Sequence, residues 1–142
     1  MKTIDEVQQE IVDEFSIYDD WMDKYSLIIE QGNALEPLDD KYKTPENIIN
    51  GCQSRVWLNA EYRDGRLYFE AESDAIIVKG LLALVLRVFN GRTPKEIMDA
   101  DLTFMKSIGL TEHLSPTRSN GLLSVIKQIR FYAIAYNAKE NK

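Results

Sequence analysis

Apolar residues recur every three or four positions near the N-terminus and predict two amphipathic helices. The apolar positions are Val7, Ile11, Val12 and Phe15 in the first segment, and Trp21, Tyr25, Ile28 and Ile29 in the second. Thr3 and Glu6 have the spacing of a capping box and mark the start of the first helix. Asp19 or Asp20 is expected to cap the second helix, and Gly32 is expected to end it.

A different pattern follows, in which apolar and polar residues alternate. The intervening stretch, 33–50, contains two prolines and a charged run, and it predicts a loop with one short turn. Alternation then runs over residues 56–62 and 67–71, and the pair Asp64-Gly65 between them has the composition of a tight turn. These signals together predict an antiparallel β-hairpin.

The longest apolar run, 75–89, leaves almost no polar face and predicts a helix buried at the centre of the protein. Ser73 or Asp74 is expected to cap this helix, and Asn90-Gly91 is expected to end it. The run is interrupted by two basic residues and is too short to span roughly 30 Å of hydrocarbon. We therefore predict no membrane segment.

The C-terminal third is again helical. A capping box with proline at the first helical position, Thr93 to Glu96, opens a short helix, and Gly109 is expected to end one further turn. Ser115-Pro116 opens a long final helix. Its apolar stripe consists of Leu122, Ile126, Ile129, Ala133 and Tyr136. Because helices flank the hairpin and do not alternate with strands, we predict an α+β fold, a small antiparallel β-sheet covered by helices, in a single domain over residues 1–142.

Composition and charge narrow the classes of function. The chain has 142 residues, of which 44% are hydrophobic and 28% charged, as in an average globular protein. Its formal charge of −6 argues against a nucleic-acid partner, because phosphate binding requires a basic face. A single cysteine forms no internal disulfide, so a reducing compartment, the cytoplasm, is expected. The acidic N-terminus lacks the apolar core of a signal peptide.

Cys52 is the candidate for covalent chemistry. A thiolate is a strong nucleophile, and its reactivity depends on access and on nearby positive charge. Cys52 follows Gly51 at a junction between loop and strand, and Arg55 adds a positive charge three residues later. The polar neighbours Gln53 and Ser54 favour a presented thiol over a buried one. Local chemistry leaves open the alternative that Cys52 is a small buried hydrophobe.

Two other functions compete with a carrier thiol. A Cys52/His113 pair is the minimum for a thiol hydrolase with a general base. His113 is the only histidine, however, and a histidine beside a helix start more commonly caps or packs. The third reading is a binding module in which Cys52 only packs. One cysteine and one histidine are too few ligands for a structural zinc or an iron–sulfur cluster.

Four blocks in order resemble the SufE family of sulfur acceptors. Residues 51–57, Gly-Cys-Gln-Ser-Arg-Val-Trp, resemble the family's cysteine loop. Residues 73–81 are similar to its second block, and residues 113–122 are similar to its third. Residues 21–32 look like the family's second helix, so the resemblance covers nearly the whole chain. It departs mildly where Gln31 replaces an expected apolar residue and in a longer polar tail.

The resemblance implies the two-layer fold of SufE and IscU proteins and a role in sulfur transfer. It implies that Cys52 takes sulfur from the persulfide of a cysteine desulfurase of the SufS or CsdA type, and that the chain activates this enzyme. The sulfur would pass to an iron–sulfur cluster scaffold. The pyridoxal phosphate belongs to the desulfurase, so we expect no cofactor on this chain, and the chain itself is expected not to be an enzyme.

The resemblance also implies accessory residues around Cys52. Asp74 would lie near the cysteine loop, where its carboxylate holds the loop by hydrogen bonds and discourages early thiolate formation. Its alternative role is that of a plain helix cap. Arg118 would lie near the site or on the docking face. The loop residues assigned to docking are Gly51, Gln53, Ser54 and Arg55. The sequence leaves self-association as a homodimer open.

Overall fold

The computed structural model describes residues 2–49 and 54–140. These residues form helices and one two-stranded antiparallel sheet, so the predicted α+β class is confirmed. No described helix is both long and apolar enough to cross a membrane. The helices are α1 (Ile4–Ser16), α2 (Trp21–Asn33), α3 (Ile76–Phe89), α4 (Pro94–Asp99), α5 (Phe104–Ser107), α6 (Leu110–His113) and α7 (Pro116–Glu140), and the strands are β1 (Val56–Arg63) and β2 (Arg66–Ser73).

Helices α1 and α2 begin where their capping residues predict. The Thr3 hydroxyl accepts a hydrogen bond from the Glu6 N–H and the Glu6 carboxylate accepts one from the Thr3 N–H, which completes the predicted capping box. The Asp20 carboxylate accepts a hydrogen bond from the Met22 N–H at the start of α2. The predicted loop after α2 contains two 3₁₀ turns, at Asp40–Tyr42 and Pro45–Asn47.

The prediction that Gly32 ends α2 is wrong. The helix continues to Asn33, and Ala34 is its C-terminal cap. Gly32 lies where α2 crosses α3, and a Cβ atom at this position would lie 2.8 Å from the backbone nitrogen of Gly80. The glycine therefore allows close packing between two helices and does not terminate the first one.

The predicted β-hairpin is confirmed. Its strands pair from Val56 opposite Ser73 to Arg63 opposite Arg66. Asp64 and Gly65 in the turn both have positive φ, 52° and 79°, as the favoured two-residue hairpin turn requires. Both edges of the hairpin are partly paired, because Ile48 forms a bridge with Trp57 and Leu67 forms one with Arg92.

Helix α3 is the buried centre that its sequence predicts, with nearly every residue from Gly80 to Phe89 buried. The prediction that Ser73 or Asp74 caps it is wrong, because Ala75 is the N-cap and makes no side-chain capping bond. The two polar side chains have other partners. The Ser73 hydroxyl accepts a hydrogen bond from the Ala75 N–H, and the Asp74 carboxylate binds the backbone of Arg55.

The C-terminal helices begin where their sequence signals predict. Thr93 and Glu96 form the capping box of α4, and α7 begins at Pro116. Gly109, with φ of 86°, separates the one-turn helices α5 and α6. The predicted stripe of α7 packs against the common core, where it meets α3 and the hairpin.

Candidate functional site

Three of the predicted site residues, Gly51, Cys52 and Gln53, lie outside the described residues. The chain on either side of them is described. Ser54 and Arg55 follow directly, and Asp74 and Arg118 belong to two of the other three blocks that carry the family resemblance. The described part of the site therefore consists of the residues that flank Cys52.

Hydrogen bonds hold both flanks of the Cys52 segment to the hairpin. The Ile49 N–H donates to the Val56 carbonyl oxygen over 2.9 Å. On the other flank the Arg55 N–H donates to Asp74 Oδ1 over 3.1 Å, and the Asp74 N–H donates to the Arg55 carbonyl oxygen over 3.3 Å. This reciprocal pair joins the two residues next to the last strand pair, Val56 and Ser73, with the Asp74 side chain as one of the acceptors. Asp74 therefore ties the segment's end to the start of α3.

A cavity of about 390 Å³ opens beside this flank, between the start of α3 and the start of α7. Its apolar lining comes from the two helices and its polar lining from Ser54 and the first turn of α7. The lining residues are Ser54, Ala75, Val78, Leu81, Leu82, Ser115, Thr117, Arg118, Gly121, Leu122 and Val125. An apolar interior with a few polar groups at the rim is the usual composition of a binding site.

Arg118 is exposed and lines this cavity. Its N–H donates a hydrogen bond to the Ser115 hydroxyl over 3.3 Å. Among the residues that the structure describes, the Arg118 guanidinium has no hydrogen bond or ion pair. It lies in the first turn of α7, where the backbone N–H groups also carry partial positive charge. The cavity mouth therefore presents positive charge to an anionic group.

His113 does not belong to the described cavity lining. Its imidazole stacks on the Trp21 ring with 3.8 Å between the ring centroids. Its backbone carbonyl accepts a hydrogen bond from the Tyr25 hydroxyl over 3.0 Å. Both contacts join the corner between α6 and α7 to α2, so His113 has a packing role.

The cavity lining is the part of the site that sequence reasoning missed. Val78, Ser115 and Thr117 carry no chemical signature of their own, although each lies within a block that resembles the family. Membership of these blocks was the available signal, and it did not show which side chains face a cavity. No group of three or more His, Cys, Asp or Glu side chains within residues 2–49 and 54–140 could hold a metal ion.

Known proteins match this chain in sequence and in fold. Residues 9–133 match the family described as "SufE: Fe-S metabolism associated domain". An uncharacterized SufE-like protein of Rhizobium etli is 46% identical over 127 residues, which cover 85% of each chain. One of Rhizobium meliloti is 44% identical over 126 residues, which cover 85% of this chain and 90% of that relative.

The solution structure of a hypothetical protein from Thermus thermophilus superimposes on the described fold with a TM-score of 0.74. The match covers 91% of this chain and 94% of that chain at 16% identity, so it shows a shared fold alone. Family membership rests on the sequence matches, which extend over most of the chain. The chain belongs to the SufE family and has a role in iron–sulfur metabolism.

Proposed function

We propose that the chain is a sulfur acceptor that takes persulfide sulfur from a cysteine desulfurase onto Cys52 and relays it to iron–sulfur cluster assembly. In the transfer step the Cys52 thiolate attacks the terminal sulfur of the enzyme's cysteine persulfide. One sulfur–sulfur bond breaks as another forms, and the enzyme's cysteine leaves as a thiolate. Electrons balance without an external oxidant or reductant.

The observation that carries this proposal is the cavity that begins at Ser54. Ser54, which lines the cavity, follows Cys52 by two residues in the sequence. A persulfide is easily reduced or oxidised, and a carrier needs a place that excludes water and small redox agents. The apolar walls from α3 and α7 suit that purpose.

Positive charge at the cavity mouth supports the same proposal. Thiolates and persulfide anions are stabilised by nearby cations and by helix N-termini. Arg118 and the first turn of α7 supply both at the rim of the cavity. This positive charge would favour the Cys52 thiolate, which attacks the desulfurase persulfide. It would also favour the persulfide anion that Cys52 carries after the transfer.

The reciprocal hydrogen bonds between Arg55 and Asp74 suit a thiol that must be released for transfer. Both residues are exposed to solvent, so water can replace these bonds when a partner binds. The pyridoxal phosphate that generates the sulfur resides on the desulfurase, in this account. The reducing cytoplasm is the compartment in which a single free cysteine would be kept available.

The hydrolase alternative gains no support from the position of His113. A general base must reach the proton that it removes, and this imidazole stacks instead on Trp21 at the α6–α7 corner. We therefore expect His113→Ala to retain sulfur acceptance. Hydrolysis of a thioester or peptide by the wild-type chain that is abolished in a folded His113→Ala variant would favour the hydrolase.

Desulfurase turnover tests the proposal. L-cysteine is supplied to a cysteine desulfurase of the SufS or CsdA type, and alanine release is measured with and without the chain. We expect the wild-type chain to raise turnover, because it removes persulfide sulfur from the enzyme. Cys52→Ser should not raise it, whereas His113→Ala should act as the wild type does. Equal stimulation by Cys52→Ser would contradict the proposal.

A further inference from the structure

The corner between α1 and α2 exposes large apolar side chains. Ile17 and Met22 are each 75% exposed, the highest values among the large hydrophobic residues that the structure describes. Tyr18 between them is 37% exposed. Single exposed apolar residues are common, whereas exposed apolar residues grouped in one place mark interaction sites. We call Ile17, Tyr18, Asp19, Met22 and Asp23 the corner surface.

The corner surface is acidic as well as apolar. Asp19 and Asp23 are exposed, and neither forms an ion pair with another described residue. Their charge is not balanced by the adjoining chain, because residues 1–40 hold twelve acidic and two basic residues. The remaining residues, 41–142, hold eleven acidic and fifteen basic ones. A partner for this surface would therefore need an apolar contact ringed by positive charge.

Trp21, which precedes Met22 of the corner surface, links this part of α2 to the chain just before the cavity lining. Trp21, which begins α2, stacks on His113, and the Tyr25 hydroxyl donates to the His113 carbonyl. His113 lies two residues before Ser115, which lines the cavity. The start of α2 and the cavity lining thus both adjoin the corner between α6 and α7.

The exposed charge beside the cavity is opposite in sign to the exposed charge at the corner surface. Arg55 and Arg118 are exposed beside the cavity, and Asp19 and Asp23 are exposed at the corner surface. Two poles of opposite sign orient a charged partner during its approach, because a reversed orientation brings like charges together. A partner that must bring its reacting sulfur to Cys52 needs such orientation.

We propose that the corner surface is a second part of the docking surface for the cysteine desulfurase, and that it binds a basic, partly apolar patch on that enzyme. The inference rests on the proposed function, and it specifies that the desulfurase binds here through basic and apolar residues. The corner surface sets the orientation of the complex, and the cavity side carries out the transfer.

A charge-reversal pair tests the proposal. The test variant is Asp19→Lys with Asp23→Lys, and Asp20 is kept because its carboxylate caps α2. The matched control is Asp99→Lys with Asp101→Lys, which changes the net charge equally at two exposed positions, the last residue of α4 and one just after that helix. Binding to the desulfurase is measured by titration over a series of salt concentrations.

We expect the test pair to weaken binding about tenfold or more at low salt, with a difference that shrinks as salt screens the charges. The control pair should bind nearly as the wild type does. Met22→Gln should weaken binding while it leaves the salt dependence unchanged, because it removes apolar contact and no charge. The rate of Cys52 alkylation by iodoacetamide and the unfolding temperature verify that each variant is folded.

Unchanged binding by both the test pair and Met22→Gln would overturn the proposal. Equal weakening by the test and control pairs would also overturn it, because net charge alone would explain the effect. The proposed function is judged separately by stimulation of turnover. A wild-type chain that binds the enzyme without stimulating it contradicts the function and not the docking surface, whereas absence of any complex overturns both.

Discussion

Asp74 makes two hydrogen bonds at the point where the Cys52 segment joins the hairpin. Its carboxylate accepts from the Arg55 N–H, and its own N–H donates to the Arg55 carbonyl. A residue with this side chain before a helix would ordinarily be a helix cap. Here the helix starts later, at Ile76, and the carboxylate is available to the neighbouring strand end.

Removal of the Asp74 carboxylate should loosen this flank of the Cys52 segment. A hydrogen bond of this kind contributes about 1 kcal/mol, so Asp74→Ala should raise the population of the open flank about fivefold. We expect Cys52 to be alkylated by iodoacetamide about fivefold faster. Asp74→Asn retains an acceptor oxygen and should change the rate less. An unchanged rate in Asp74→Ala would show that Asp74 does not hold the segment.

Glu72 gives the protein a pH-dependent contact between the loop before Cys52 and the hairpin. Its carboxylate accepts hydrogen bonds from the Lys43 ammonium over 2.7 Å and from the Leu38 N–H over 3.1 Å. The Lys43 hydrogen bond is the main cause that holds the pKa of Glu72 below its ordinary 4.5. Ionised Glu72 therefore stabilises the folded state above pH 4.5, and this contribution is lost as pH falls through the lower folded pKa.

Glu72→Gln should flatten the dependence of stability on pH in this acidic range. Urea unfolding followed by circular dichroism measures the midpoint from neutral pH downwards. We expect the variant to be less stable than the wild type at neutral pH and the difference to shrink below about pH 4.5. Glu70→Gln, at an exposed position on the same strand, is the matched control. A stability difference between Glu72→Gln and the wild type that stays constant across this pH range would show that ionised Glu72 is not the source of the pH dependence.

At the scale of elements, sequence signals within a few residues of each other predicted most boundaries. Capping boxes marked α1 and α4, the Asp64-Gly65 turn marked the hairpin, and an unbroken apolar run marked α3. The role of Gly32 could not be predicted in this way, because the residue that requires a glycine there lies nearly fifty positions away in the sequence. The contact with Gly80 makes it part of a helix crossing, and no local pattern distinguishes that from a helix end.

The α2–α3 crossing should be intolerant of even one added methyl group. A Cβ atom at Gly80 would lie 2.1 Å from the Ile28 carbonyl oxygen, so the helices would have to separate. We expect Gly80→Ala to reduce the free energy of unfolding by about 3 kcal/mol or more. Helix propensity alone predicts the opposite sign, a gain of about 0.5–1 kcal/mol.

Chemical denaturation measures this effect directly. Ser26→Ala, at an exposed position of α2, is the control and should change stability by no more than about 0.5 kcal/mol. An equal or greater stability of Gly80→Ala would show that the helices do not pack as closely as the structure describes.

At the scale of the whole molecule, the resemblance to the SufE family predicted both the fold and the family. It could do so because the four similar blocks are spread along nearly the whole chain. The cavity could not be predicted, because α3 and α7 contribute its walls and are separated by more than twenty residues. Spacing within either helix shows which residues are apolar but not which of them border empty space. The roles of Cys52, Asp74 and Arg118 stay predictions.

Transfer of sulfur to Cys52 is the central claim, and intact-protein mass spectrometry tests it most directly. The chain is incubated with a cysteine desulfurase, pyridoxal phosphate and L-cysteine, and is then weighed without reductant. We expect the wild-type chain to gain the mass of one sulfur atom and to lose it on treatment with dithiothreitol, because a persulfide is reducible. Failure of the wild type to gain sulfur, or an equal gain by Cys52→Ser, would contradict the account.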